Sequence, residues 1–162
     1  MTNKKKIVLE RTYQAPIGDV WALWTTKEGI ESWWGPEGFE VKVRSMDLRA
    51  GGELLYGMTA TAAPQIEFMK KAGMALTTEA RITYTEVVPH ERLAYVHLAD
   101  FIPGVAPYDV ATVVELQAAP HGVKMVLTLD AMHDAQWTQR AVMGWESERG
   151  QLERVLARWC RR

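Results

Sequence analysis

Cysteine is almost missing: Cys160 is the only one in 162 residues, which excludes an internal disulfide framework and a multi-thiolate metal site. Histidine is scarce as well. His90, His97, His121 and His133 fall into neither an H-x-x-x-H nor an H-E-x-x-H spacing, so no metal site is expected. Net charge is lacking too. The 19 basic and 20 acidic residues leave a formal charge of −1, too little to build a global field for nucleic acid or an anionic membrane. No apolar run approaches the roughly 20 residues a bilayer span requires, and Met1 to Lys6 leads into no signal-type apolar stretch. Lys4-Lys5-Lys6 reads as a solvated basic start. There is no G-x-S-x-G, Walker loop or G-x-G-x-x-G, and Gly51-Gly52 is a hairpin signal only. The expectation is a soluble cytoplasmic protein with no cofactor, no nucleic-acid partner and no membrane insertion.

What is present is ordinary globular composition, 48% hydrophobic and 24% charged, which excludes disorder, collagen and coiled coil. The length suits a single domain over residues 1–162. A chain of this size buries roughly 70% of its unfolded surface.

Hydrophobic periodicity organises the chain. Ile7, Leu9 and Tyr13 alternate with Val8, Glu10 and Thr12, a strand that Ala15-Pro16 ends. Val20, Trp21, Leu23 and Trp24 then take helical spacing, and a second short helix runs from Lys27 to Trp33 until Gly35-Pro36 and Gly38 stop it. Period-2 segments follow in succession through Val41, Tyr56, Ile82, Tyr95, Thr112 and Leu127. Turn signals such as Gly51-Gly52, Pro89-His90-Glu91 and Pro120-His121-Gly122 separate them. About seven strands in hairpin order imply an antiparallel sheet. From Trp137 onward the apolar stripe changes to spacings of three, four and seven. A helix of about 23 residues spans about 34 Å, enough to lie across the whole sheet. Residues 64–73 interrupt the meander: Pro64 fits a first helical position, Gly73 a stop, and Ile66, Phe68 and Met69 an apolar patch. That segment is either a surface loop or a lid.

The order strand, two short helices, six strands, long helix resembles the α+β helix-grip fold of the START and birch-pollen-allergen superfamily. Locally the chain resembles the activator-of-heat-shock-protein-90-ATPase-like (Aha-type, SRPBCC) family. The pieces that carry the likeness run from Arg11 to Pro16 with Val20-Trp21, then Trp33-Trp34-Gly35-Pro36 and Asp47 to Gly52. Val87-Val88-Pro89 with Glu91-Arg92-Leu93 follows, and Gly144-Trp145 closes the series. Each is weak alone; their order and spacing are specific. The resemblance implies an internal, mostly apolar cavity between sheet and terminal helix. It does not by itself assign a role, because function resides in the site.

The expected lining is Tyr56, Met58, Tyr84, Tyr95, His97, Leu127 and Leu129 from the strands, opposed by Trp137, Ala141 and Trp145, with Trp33 and Trp34 near the mouth. The alternative is that these residues interdigitate as solid core. Glu148 falls at the centre of the helix stripe, where the family pattern carries an apolar residue. A buried carboxylate there would anchor a polar group or find a cationic partner; a local bend would instead carry it to solvent. Glu148 and His97, with the tyrosines, are the candidates for catalysis, and none sits in a recognised catalytic constellation. Asp134 is expected to cap the terminal helix. His90 and His121 are expected in exposed turns, and Cys160 to be incidental.

Three functions follow: binding of a small apolar or aromatic molecule, a polyketide cyclase or aromatase-like enzyme using the same cavity, and a chaperone-directed interaction module, ranked last. The missing catalytic constellations favour binding over catalysis. An edge strand or the apolar insertion offers a homodimer contact.

Overall fold

Alternation of apolar and polar residues resolves into strands whose in-facing sets coincide across one sheet. The computed structural model describes residues 6–34, 38–99, 104, 106–132 and 135–159, without the side chains of 99, 137, 140, 141, 144, 145, 147–149, 158 and 159. The described elements are β1 (Lys6–Tyr13), α1 (Ile17–Thr25), α2 (Lys27–Trp33), β2 (Phe39–Met46), β3 (Glu53–Ala60), α3 (Ala63–Lys71), β4 (Thr77–Val88), β5 (Arg92–Ala99), β6 (Tyr108–Ala119), β7 (Gly122–Asp130) and α4 (Ala135–Trp159). The strands form one open antiparallel sheet in the order β1-β7-β6-β5-β4-β3-β2, a curved α+β helix-grip arrangement. Its two edges are β1 and β2, consecutive strands that α1 and α2 carry from one side of the sheet to the other.

Two register shifts bend the sheet, one between Val43 and Ser45 on β2 and one between Tyr84 and Glu86 on β4. An extra residue on one strand bends it and increases its local twist. The outer face is polar and cross-paired, for example Arg92 to Glu115 at 3.1 Å and Arg81 to Glu53 at 3.3 Å. Exposed pairs of this kind contribute little stability. The β2 edge is partly closed, since the Val43 N–H donates to Glu31 Oε2 of α2 at 2.8 Å. An edge amide satisfied within the chain is not available to pair with another strand.

The short helices are joined by one residue with two duties. Thr26 ends α1, its hydroxyl donating to the Ala22 carbonyl at 2.8 Å, and caps α2 by accepting the Gly29 N–H at 2.9 Å. Gly29 permits the tight approach: a Cβ there would lie 2.3 Å from the Ala22 oxygen. Pro16 stands one position before α1, accepting the Asp19 N–H at 3.0 Å, rather than inside its first turn. Segment 64–73 overlaps α3, which begins one residue earlier at Ala63 and has Pro64 in its first turn. Gly73 closes it at φ +69 with two reverse bonds, Gly73 N–H to Lys70 O at 3.1 Å and Met74 N–H to Met69 O at 2.9 Å. Those are the two bonds of a Schellman stop, which needs a left-handed residue.

Helix α4 is 25 residues long. Its described contacts are with α1 and α2, and Leu152, Val155 and Leu156 are buried in the common core. Glu153 forms an ion pair with Arg11 of β1, and that guanidinium also lies 5.8 Å from the Tyr13 ring. Asp134, His133 and Cys160 lie outside the described residues, as do Gly35-Pro36 and Lys4-Lys5. His90 and His121 are exposed in their turns.

Leu152 is fully buried at the α4 docking surface. Leu152→Ala is expected to lower unfolding free energy by about 2–5 kcal/mol, the usual range for emptying a core leucine site. Urea unfolding followed by circular dichroism measures it. A loss under about 1 kcal/mol would mean that this half of α4 is not packed as described.

Candidate functional site

Residues directly opposite in antiparallel register share a face of the sheet, so the register identifies the concave wall. One row runs Tyr84, Tyr95, Thr112, Leu129 across β4, β5, β6 and β7; the next runs Leu54, Ile82, His97, Val110; a third runs Leu93, Val114, Leu127, Leu9. Tyr56 stands opposite Ala80 on the same face, and Met58 opposite Thr78. Tyr56, Tyr84, Tyr95, Leu127 and Leu129 are buried, Met58 packs on the core from a half-buried position, and His97 is half-buried. The expected strand contributions thus stand side by side on one wall. Trp137, Ala141, Trp145 and Glu148 belong to α4, and their side chains lie outside the described residues.

The tryptophans form the corner of this wall. Trp24, Trp33 and Trp34 meet edge to face, with ring centroids 4.7, 5.5 and 5.4 Å apart, the geometry the ring quadrupole favours. The Trp33 indole N–H donates to the Leu23 carbonyl at 2.7 Å, which fixes α2 to α1. Trp34 faces the sheet, its ring 6.1 Å from Tyr56 and 5.9 Å from Tyr95. Trp33 is therefore held by helix packing, while Trp34 borders the tyrosine wall. Trp24 completes the cluster but was absent from the sequence-derived lining. Its helical spacing with Leu23 showed that it was buried, not which ring it would meet.

In α3, Met69 is buried, Ile66 is half-buried and Phe68 is 66% exposed. Helix α3 packs beside β3, and Phe68 points away from that contact.

Two groups on the wall have altered chemistry. Tyr84 is 1% exposed, and burial pushes its hydroxyl well above the ordinary tyrosine range, so it stays protonated. Its oxygen has no hydrogen-bond partner among the described residues. Burial lowers the pKa of His97 below its usual 6.5, with the nearby Asp109 carboxylate opposing part of the shift. At neutral pH the imidazole is uncharged and can accept or donate a hydrogen bond. The wall can therefore solvate apolar and aromatic surface, donate the Tyr84 O–H, and offer one neutral imidazole at its side. Among the described residues no three His, Cys, Asp or Glu side chains gather to hold a metal, and no helix is long and apolar enough to cross a membrane.

The sign of the His97 effect is fixed by its direction. As pH falls through 6.5 the unfolded chain takes up this proton before the folded one, so the associated stability is present at neutral pH and is lost below 6.5. Asp109→Asn removes the opposing charge and is expected to depress the His97 titration midpoint further. Ring-proton NMR across pH 4–8 reads it, and an upward or absent displacement would contradict the assignment.

Comparison with known proteins agrees with this architecture. The family model described as Activator of Hsp90 ATPase homolog 1-like protein matches residues 14–157. Among solved structures, protein CV1439 from Chromobacterium violaceum is similar at 26% identity and a TM-score of 0.75, covering 93% of this chain and 96% of that one. An AHSA1-like protein from Aeromonas hydrophila is 24% identical with a TM-score of 0.69, covering 93% and 90%. CalU16 from Micromonospora echinospora is 20% identical with a TM-score of 0.66, covering 94% and 76%. No curated protein matches the sequence.

Proposed function

The chain belongs to the Activator of Hsp90 ATPase homolog 1-like family, and from that premise we propose that it binds a small hydrophobic or aromatic molecule between the concave sheet face and α4. Proteins of this fold commonly take up hydrophobic ligands. The observation that carries the reading is the tyrosine wall itself. Tyr56, Tyr84 and Tyr95 stand with Trp34 on one buried surface, a dense aromatic lining with few polar groups. Apolar pockets with a small number of placed polar groups are how proteins hold small organic molecules. Trp137, Ala141, Trp145 and Glu148 would supply the opposite side, and α3 with Ile66, Phe68 and Met69 would border the entrance as a lid.

A cyclase-like reaction in the same cavity is the second reading. Its support is His97, a neutral imidazole on the same face as the tyrosines. Such a group can move a proton near pH 7 when a substrate is held against it. Glu148 would be its partner. His97→Ala is then expected to abolish turnover of a polyketide-like substrate with the fold intact.

For the binding reading, the protein is expected to shift its tryptophan emission on titration with 1-naphthol, with saturation at one equivalent. Trp34 lies within the proposed lining, so occupancy should change its surroundings. Native mass spectrometry on the same sample should show a one-to-one adduct. If neither an emission change nor an adduct appears at millimolar probe, the binding reading fails.

A further inference from the structure

Tyr84 is bonded through its backbone to the Gly51-Gly52 turn, while its hydroxyl has no hydrogen-bond partner among the described residues. Its backbone N–H donates to Gly52 O at 2.9 Å and its carbonyl accepts from the Gly51 N–H at 2.7 Å. The register shift of β4 begins immediately after it, and such irregularities commonly re-aim a side chain near a site. The strand is thus clamped on one side and bent on the other, with the ring fixed inward. Yet the hydroxyl is buried without a hydrogen-bond partner among the described residues. Leaving a buried hydroxyl unsatisfied destabilises a fold, and in native proteins such a group is rare enough to require a cause. A phenylalanine would fill the same volume without that penalty.

Directly across from Tyr84 stands Tyr95, with Ile82 beside it on its own strand and Thr112 and Leu129 further along its row.

We infer that the Tyr84 hydroxyl is a preformed donor for a carbonyl oxygen on the ligand, which makes the guest an apolar or aromatic ketone, aldehyde, quinone or ester rather than a plain hydrocarbon. This inference rests on the binding reading above. A donor fixed before the ligand arrives loses little entropy on binding. The raised hydroxyl pKa keeps the proton on the oxygen at all physiological pH, so Tyr84 donates to its guest as a neutral phenol. The site tolerates the unsatisfied group because the ligand satisfies it, a stability cost retained for function.

The test uses two probes of nearly equal shape, 1-acetylnaphthalene and 1-ethylnaphthalene, which differ by the carbonyl oxygen. On protein stripped of bound organic compounds, the ketone is expected to bind about three- to tenfold more tightly than the hydrocarbon, the value of one net hydrogen bond. Tyr84→Phe should weaken the ketone by that factor and leave the hydrocarbon unchanged. The ligand-free variant should also melt about 2–4 °C higher, since it loses an unsatisfied polar atom. Equal affinities for the two probes in the wild-type protein, or a discrimination that survives in Tyr84→Phe, would overturn the inference and leave the pocket standing. A lower melting temperature for the ligand-free variant would show that the hydroxyl is bonded within the protein, and would overturn it independently. Binding of neither probe would remove the pocket and this inference together.

Discussion

Three indole rings hold the architecture at its corner. Trp24 and Trp33 come from consecutive short helices, and the Trp33 N–H to Leu23 O bond sets the angle between them. Trp34, the next residue, then reaches both Tyr56 on β3 and Tyr95 on β5. That contact, with the Glu31 bond to the β2 edge, sets the position of the helices that span from one sheet edge to the other. Large aromatic side chains suit the task because each buries much area with few rotatable bonds. Leu23, Val20 and Ile30 of the same two helices share one buried core with Leu152, Val155 and Leu156 of α4. Arg11 and Glu153 add a charged tie from β1.

Curvature and chemistry share one location. The β4 register shift lies beside Tyr84, and the turn at Gly51-Gly52 bonds the backbone of that same residue. Two polar groups on the concave face stand out: a buried phenol whose oxygen has no hydrogen-bond partner among the described residues, and an imidazole held neutral by burial. Both are costs to folding, and both supply hydrogen bonding in an apolar setting, where such bonds are strongest.

Much of the fold was legible in the residues. Strand faces follow from period-2 alternation, so Tyr56, Tyr84, Tyr95, Leu127 and Leu129 were assigned inward before any geometry was known and are buried, while Met58 and His97, assigned inward with them, are half-buried. The helix Lys27–Trp33 followed from its flanking breakers, and the α3 segment from Pro64 and Gly73. The site was legible only as a list. Alternation states which side a residue faces, but register states which residue stands beside it. Nothing local in the chain aligns Tyr84 with Tyr95 or places His97 opposite Ile82. Trp24 was missed as a ring partner for the same reason, since helical spacing marks burial and not the identity of the neighbour.

Sequence alone determined the element order, the inward and outward sets and the family, because these depend on local backbone preferences and on how apolar side chains repeat. Tertiary structure alone decided that Trp34 would touch strands β3 and β5, that Glu31 would bond the β2 edge, and that the Tyr84 oxygen would have no hydrogen-bond partner among the described residues. Those outcomes depend on distances between segments far apart in the chain, set by bulges, strand register and helix angle together. A hydroxyl is satisfied or orphaned by atoms a few ångströms away, and no pattern along the chain encodes that distance.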